Sequence, residues 1–244
     1  MLEGMYTAAA GMAAQQQRLD AVANDLANVS TTGYKHVRVA FRDLVYAGGG
    51  QAVDASVQLG AGAAATQIGR SSAQGSLRAT DQPLDIALQG PGYLAVRGHD
   101  GKPALTRDGS LHVDDRSRLV TSTGLLLDPP VSVPRGTPDD KITIGHDGAV
   151  TVAGRRVGAL RILDVPAPSQ LQGAPDNAFV VTQASGAPRA ARGTTVAQGS
   201  LEASNVDMGD AMVDMMDAQR SFEMASKAIT YQDQMAEIAN GLKR

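Results

Sequence analysis

Asp210, Asp214 and Asp217, near the C-terminus, are spaced four and three apart and share one face of any helix that carries them. Carboxylates so placed could begin a divalent-cation site. Hard cations take six or more oxygens, usually with a loop carbonyl among them, and a bare helix face supplies too few. An aspartate-rich first half suits the positive end of a helix dipole instead. Asp81 with Asp85, and Asp114 with Asp115, are the carboxylate pairs that could act as acid and base on a glycosidic bond. Each pair falls in a turn-and-strand pattern that accounts for it, and the segment around them offers only Tyr93 and Phe179 for stacking on a sugar. Histidines stand at 36, 99, 112 and 146, no two at helical metal-ligand spacing. No serine has a GxSxG context. Gly60-Ala61-Gly62 with Ala65 imitates a dinucleotide-binding turn, with Asp81 at a tempting distance, but Gly69 and Ser71-Ser72 interrupt the helix that motif must open. A flexible Gly/Ala loop is the simpler reading. Asn28-Val29-Ser30 matches a glycosylation sequon at a helix end, where coincidence explains it. These residues predict no catalytic centre, no cofactor and no metal.

Composition narrows the classes further. The chain has 244 residues, 25 of them acidic and 22 basic, with no Cys and no Trp. Without cysteine there are no disulfides, thiolate metal sites or thiol nucleophiles. A net charge of −3 argues against a nucleic-acid partner, which calls for a basic patch. Residues 1–17 lack a basic leader with an apolar run, so no secretory signal is expected, and no run is long enough for membrane insertion. Aromatics are only 3% and glycines number 27, so a β-rich, loop-rich middle of modest stability is expected.

The elements that must position these residues are read from periodicity. Met5, Met12, Leu19 and Leu26 recur every seven residues, with Ala8, Val22 and Val29 three residues after members of that row. Such a seam belongs to helix–helix packing, and its alanines allow close approach. The helix should end at Ser30-Thr31-Thr32-Gly33. Met208, Met215, Phe222 and Ile229 repeat the pattern at the other end, joined by Met212, Ala218 and Ala225, before the row moves to Met235, Ile238 and Leu242. Asn205 or Asp207 can cap this helix, and Lys243-Arg244 suit its negative end. Methionine seams are usually core filler, and methionine also suits surfaces that meet several different neighbours.

Between the helices the texture changes. Ala47-Gly48-Gly49-Gly50 reads as a joint. From about Ser76 to Gln198 short β runs alternate with turn dipeptides at Asp100-Gly101, Asp108-Gly109 and Asp147-Gly148. Leu84–Leu88, Tyr93–Val96 and Val157–Val165 read as strands. Prolines 129, 130, 134 and 138 mark a long loop or sheet edge. The expected fold is α+β and mainly β, with N- and C-terminal helices forming a coiled-coil-like stalk around an antiparallel β-rich middle domain. The expected division is an N-terminal helix over 1–29, an extended bridge and Gly-rich linker over 30–75, a β-rich domain over 76–200 and a C-terminal helix over 201–244.

The motifs carry a resemblance. Ala23-Asn24-Asp25-Leu26-Ala27-Asn28-Val29-Ser30-Thr31-Thr32-Gly33-Tyr34-Lys35 resembles the N-terminal signature ANNLANxxTxGxK of bacterial flagellar rod and hook proteins. Gln198-Gly199-Ser200-Leu201-Glu202-Ala203-Ser204-Asn205-Val206 is similar to the QGxLExSNV element that opens their C-terminal helix. Gln219-Arg220-Ser221-Phe222-Glu223 is similar to their QRAYE element. The run Pro83–Leu88 with Gly90 and Gly92, then Thr106-Arg107-Asp108-Gly109-Ser110, then Leu119-Val120-Thr121 with Gly124, follows the family order. The resemblance spans essentially the whole chain. Departures are mild: Asp25, Tyr34 and Ser221-Phe222 replace the commoner Asn, Phe and Ala-Tyr. Val157–Arg161 is similar to proximal rod members, and Thr182–Pro188 and Ser226–Ile229 to distal ones, the type favoured.

The resemblance implies a structural, non-enzymatic subunit of the flagellar basal-body rod. Such subunits polymerise helically through their terminal helices into the drive shaft that passes torque to the hook. It implies as partners further copies of the chain, other rod proteins and the hook protein, the flagellar export apparatus and the surrounding ring proteins. It implies a periplasmic location reached through type III export without a cleaved signal. The expected assembly interface is Met5, Met12, Leu19, Val22, Leu26 and Asn28 on the N-terminal side, and Met208, Met212, Met215, Phe222, Ile229, Met235 and Ile238 on the C-terminal side. Gly33, Lys35, Arg38, Phe41 and Arg42 form an expected bridge and inter-subunit strip. The competing reading is a cell-wall glycan-binding or peptidoglycan-active module with helical extensions. It requires a carboxylate pair in an aromatic-lined cleft, which the sequence does not offer.

Overall fold

The computed structural model describes residues 2–46, 59–98 and 100–241. The joint at 47–50, His99 and the terminal Leu242, Lys243 and Arg244 lie outside the described residues. Among the described residues there are two α-helices and a β-rich middle of antiparallel strands, an α+β fold that is mainly β. The chain divides into two compact units built from discontinuous segments. One comprises residues 1–27, 37–68 and 207–244, the other 28–36 and 69–206.

In the first unit, α1 (Leu2–Ala27) and α2 (Met208–Gly241) pack antiparallel. Arg18 meets Asp214 at 2.6 Å, and Gly4 lies so close to the Gln232 side chain that a Cβ there would sit 2.4 Å from it. Alanines at the contact permit this: Ala14 and Ala21 of α1, and Ala211 and Ala218 of α2, are all buried. Asp207 caps α2, its carboxylate accepting from the backbone N–H of Gly209 (2.8 Å) and Asp210 (3.0 Å). Strands β1 (Val37–Tyr46) and β2 (Leu59–Arg70) pair as a two-stranded sheet. The Asp25 carboxylate accepts the N–H of Val37 at 3.0 Å, fastening β1 to the end of α1. β2 contains the Gly60-Ala61-Gly62 run, which is therefore strand rather than flexible loop. Gly62, at φ +100°, lets the strand backbone come within van der Waals range of Thr7 and Ala10 on α1.

In the second unit, β3 (Leu77–Ala79) pairs with residues 200–202 and β4 (Ile86–Gln89) with 195–198. The largest sheet among the described residues has nine strands, centred on β5 (Tyr93–Arg97). β5 pairs antiparallel with β6 (Pro103–Thr106), with Leu126–Leu127 and with Ile162–Asp164. A three-stranded meander over 142–159 completes the core, which gathers Ile86, Leu94, Val96, Leu119, Val131, Ile142, Val150 and Val196. Asp100-Gly101 and Asp147-Gly148 form turns between paired strands, each aspartate accepting a backbone N–H two residues on. Asp108-Gly109 is not a hairpin turn. Gly109 is there for close approach: a Cβ would sit 1.8 Å from the Ile86 carbonyl oxygen, which belongs to the neighbouring backbone. The proline segment is a sheet edge, with the Val131 carbonyl accepting from Leu119 (2.9 Å) and Val133 donating to Ser117 (2.7 Å).

Candidate functional site

Lys35 and Glu202 come from the two signature motifs, 167 residues apart in the chain. Gly33 closes the loop after α1 at φ +66°, where its N–H donates to the Glu202 carbonyl at 2.8 Å. A Cβ at this position would strike the Arg107 backbone at 2.5 Å, so only glycine fits. Lys35 then points inward. Its ammonium donates to Glu202 Oε1 at 2.5 Å and to the Ala73 carbonyl at 2.7 Å. The other carboxylate oxygen of Glu202 accepts from Arg107 at 2.9 Å, and Oε1 also accepts the Gly75 N–H at 3.0 Å. Arg107 donates as well to the Gly90 carbonyl at 2.8 Å and lies over the Tyr93 ring at 5.4 Å. Lys35 and Glu202 are each 1% exposed. Burial holds the Lys35 ammonium below the ordinary lysine value, against the opposing pull of Glu202, and pushes the Tyr93 phenol up.

Around this trio the motifs interlock. Asn205 accepts the His36 N–H at 2.8 Å and donates to Ala73 at 3.0 Å, so of the two expected caps it is Asp207 that serves α2. Asp108 accepts from the hydroxyls of Thr32 (2.7 Å) and Ser122 (2.8 Å) and from the Ser110 N–H (3.1 Å). Asn177 donates to the Thr32 carbonyl at 2.7 Å. Arg70 lies over the Tyr34 and Phe179 rings at 5.2 and 5.7 Å. The roles of Arg107, Asp108 and Glu202 are not assigned by sequence reasoning. The signal that could find them is a charged pair, Arg107-Asp108, between β runs, with one glutamate in an otherwise neutral element.

The expected interface residues divide. On α1, Met5, Met12, Leu19, Val22 and Leu26 are half-buried. Asn28 lies beyond the helix end, its side chain and carbonyl both accepting from Thr31. On α2, Met215, Phe222 and Ile229 are half-buried along the row that includes buried Ala211 and Ala218. Met208, on the same row at the first residue of α2, and Met212, Met235 and Ile238, off it, are exposed, together with Val213, Met216, Met224 and Tyr231. Of the expected strip, Arg38, Phe41 and Arg42 are exposed on β1, whereas Gly33 and Lys35 are buried within the subunit.

The candidate chemical groups are tied locally. Asp214 pairs with Arg18, Asp114 with Arg118 at 2.7 Å, and Asp85 accepts the Thr80 hydroxyl at 2.6 Å. Asp81 lies between β3 and β4 at φ 56°, its N–H donating to the Gly199 carbonyl at 3.3 Å. His146 contacts the Val196 carbonyl at 3.0 Å. Among the described residues no three His, Asp or Glu side chains gather as a metal site.

A helix pair that keeps apolar side chains exposed, and a β unit closed by motifs drawn from both ends of the chain, are the features of a structural subunit. Comparison with known proteins gives it a family. Residues 5–35 match the family described as "Flagella basal body rod protein", 87–152 the "Flagellar hook protein FlgE/F/G D1 domain", and 197–242 the "Flagellar basal body rod FlgEFG protein C-terminal". The chain is 35% identical to the flagellar basal-body rod protein FlgG of Caulobacter vibrioides, over 99% of this chain and 100% of the relative. It is 36% identical to FlgG of Borreliella burgdorferi and 32% identical to FlgG of Bacillus subtilis, each over 100% of both chains. The chain belongs to the flagellar basal-body rod proteins of the FlgG type and is a structural subunit of the rod.

Proposed function

We propose that this rod subunit polymerises helically through its terminal helices into the drive shaft that passes torque to the hook, without enzymatic activity. The observation that carries the reading is the set of apolar side chains that α2 leaves exposed, Met212, Val213, Met216, Met224, Tyr231 and Met235 among them, while Ala211, Ala218 and Phe222 pack inward. A helical assembly needs heterologous contacts with neighbours displaced in different directions. One face of α2 is used within the subunit, and the apolar side chains outside it are free to meet further copies. Methionine suits that second role because its unbranched thioether adapts to near-equivalent neighbours.

The remaining parts follow from this reading. The segments over 1–29 and 201–244 act as axial segments through α1 and α2, with coiled-coil-like packing, although α2 begins only at Met208 because residues 200–202 pair as strand with β3; 30–75 acts as a bridge and 76–200 as the outer β-rich domain. Arg38, Phe41 and Arg42 form the inter-subunit strip; Gly33 and Lys35 act inside the subunit. The partners are further copies, other rod proteins and the hook protein, the export apparatus and the surrounding rings. The station is the distal, periplasmic rod, reached by type III export.

Complementation tests the reading. In a strain lacking its own FlgG-type rod gene, the wild-type chain should restore motility. Leu19→Asp and Phe222→Asp should not, while the β unit of each purified variant still melts cooperatively. Normal motility with either substitution contradicts the reading.

A further inference from the structure

All nine methionines fall in the two ends of the chain, Met1, Met5 and Met12 at one and Met208, Met212, Met215, Met216, Met224 and Met235 at the other. The β-rich unit over 69–206 has none, and the whole chain has no Cys and no Trp. The most readily oxidised side chains are therefore confined to the helices. Within α2 they differ in access. Met208, Met212, Met216, Met224 and Met235 are between 46% and 64% exposed, whereas Met215 is half-buried, as are Met5 and Met12 on α1.

We propose that these five exposed thioethers are a reversible oxidation site that switches assembly off; the effect on assembly rests on the reading given under Proposed function. The oxidant is a peroxide. The sulfur donates an electron pair to one oxygen of hydrogen peroxide, the O–O bond breaks, and an S–O bond forms. The proton on the transferred oxygen goes to the departing hydroxide, so one sulfoxide and one water result. Reduction runs through a methionine sulfoxide reductase, with two thiols giving a disulfide and the oxygen leaving as water. The sulfoxide is polar and chiral, so adaptable apolar side chains become strong hydrogen-bond acceptors that must be desolvated on assembly. Because the β unit has no methionine, its stability should not change.

The test uses the full chain. After brief peroxide treatment, peptide mapping by mass spectrometry should place sulfoxide first at the five exposed methionines and later at Met5, Met12 and Met215. Equal rates at all sites overturn the assignment, whatever happens to assembly. Sedimentation should then show loss of assemblies in the treated protein, recovery after the two epimer-specific methionine sulfoxide reductases together with dithiothreitol, and an unchanged melt of the β unit. A variant with all five changed to Leu should assemble equally with and without peroxide. Treated wild-type protein that assembles as before, or a Leu variant that loses assembly on treatment, overturns the switch. Failure of the untreated wild-type chain to assemble under any condition instead removes the helical-assembly reading and with it the switch, while the oxidation map is judged separately.

Discussion

Glu202 carries the only negative charge in a buried trio with Lys35 and Arg107, so the cluster holds a formal charge of +1. Removing the glutamate leaves two cations inside the protein, whereas removing the lysine leaves a neutral Arg–Glu pair. Breaking a buried ion pair by deleting one partner costs about 3–5 kcal/mol, while replacing charge with apolar volume is often close to neutral. Glu202→Gln should therefore destabilise the β unit by about 3–5 kcal/mol in urea unfolding, and Lys35→Met by clearly less. Equal losses would show that the charge balance is not what matters. A pH dependence follows from Lys35. Burial sets its folded value below the ordinary 10.5. Between that lowered value and 10.5, the unfolded chain binds a proton that the folded chain has released, so this group's contribution to stability rises with pH in that window. The stability of wild type relative to Lys35→Met should accordingly increase toward the upper end of an alkaline series. A decrease would mean that the fold raises the lysine pKa instead.

The two helices show what a heptad reading captures and what it loses. Met215, Phe222 and Ile229 do lie along the buried side of α2, but Met208 and Met212 do not. Met208 is on the same row of sevens as Met215, about 20° away on a straight helix, and is exposed at the first residue of α2, whereas Met212 follows buried Ala211 by one residue, about 100° round the helix. The buried apolar positions of the pair are alanines, whose small side chains give a weak periodic signal. Ala218 is fully buried, so Ala218→Leu should overpack the pair and lower helix stability by about 1–3 kcal/mol, read by circular dichroism at 222 nm. A smaller loss than this would place α2 farther from α1. Other elements were hidden for different reasons. β2 is built from Gly and Ala, which carry little strand propensity, and packing against α1 overrides that local preference. Asp108-Gly109 has the letters of a turn, yet the glycine answers the approach of Ile86 and the aspartate ties three segments. Gly109→Ala should therefore destabilise the β unit strongly, whereas Gly101→Ala meets no neighbouring atom and bears only the strain of a positive φ.

Across the chain, both compact units are discontinuous, and the boundary after His36 divides the expected bridge between them. The order of motifs made the family legible in the sequence, because each motif is a local string. Their meeting in space was not, because Lys35 and Glu202 interact only once a long stretch of chain has folded between them. The β unit thus holds the second half of the N-terminal signature, residues 28–35, and the whole of the 198–206 motif. The proposed rod assembly requires that the exposed methionines of α2 drive association without supporting the fold. It is tested by sedimentation and negative-stain microscopy of the full chain beside a Met212→Asp/Met216→Asp variant. The wild-type chain should form rods or tubes, and the variant should stay a monodisperse monomer with unchanged helix content and an unchanged melt. Rods formed by the variant, or none formed by the wild type, would contradict it.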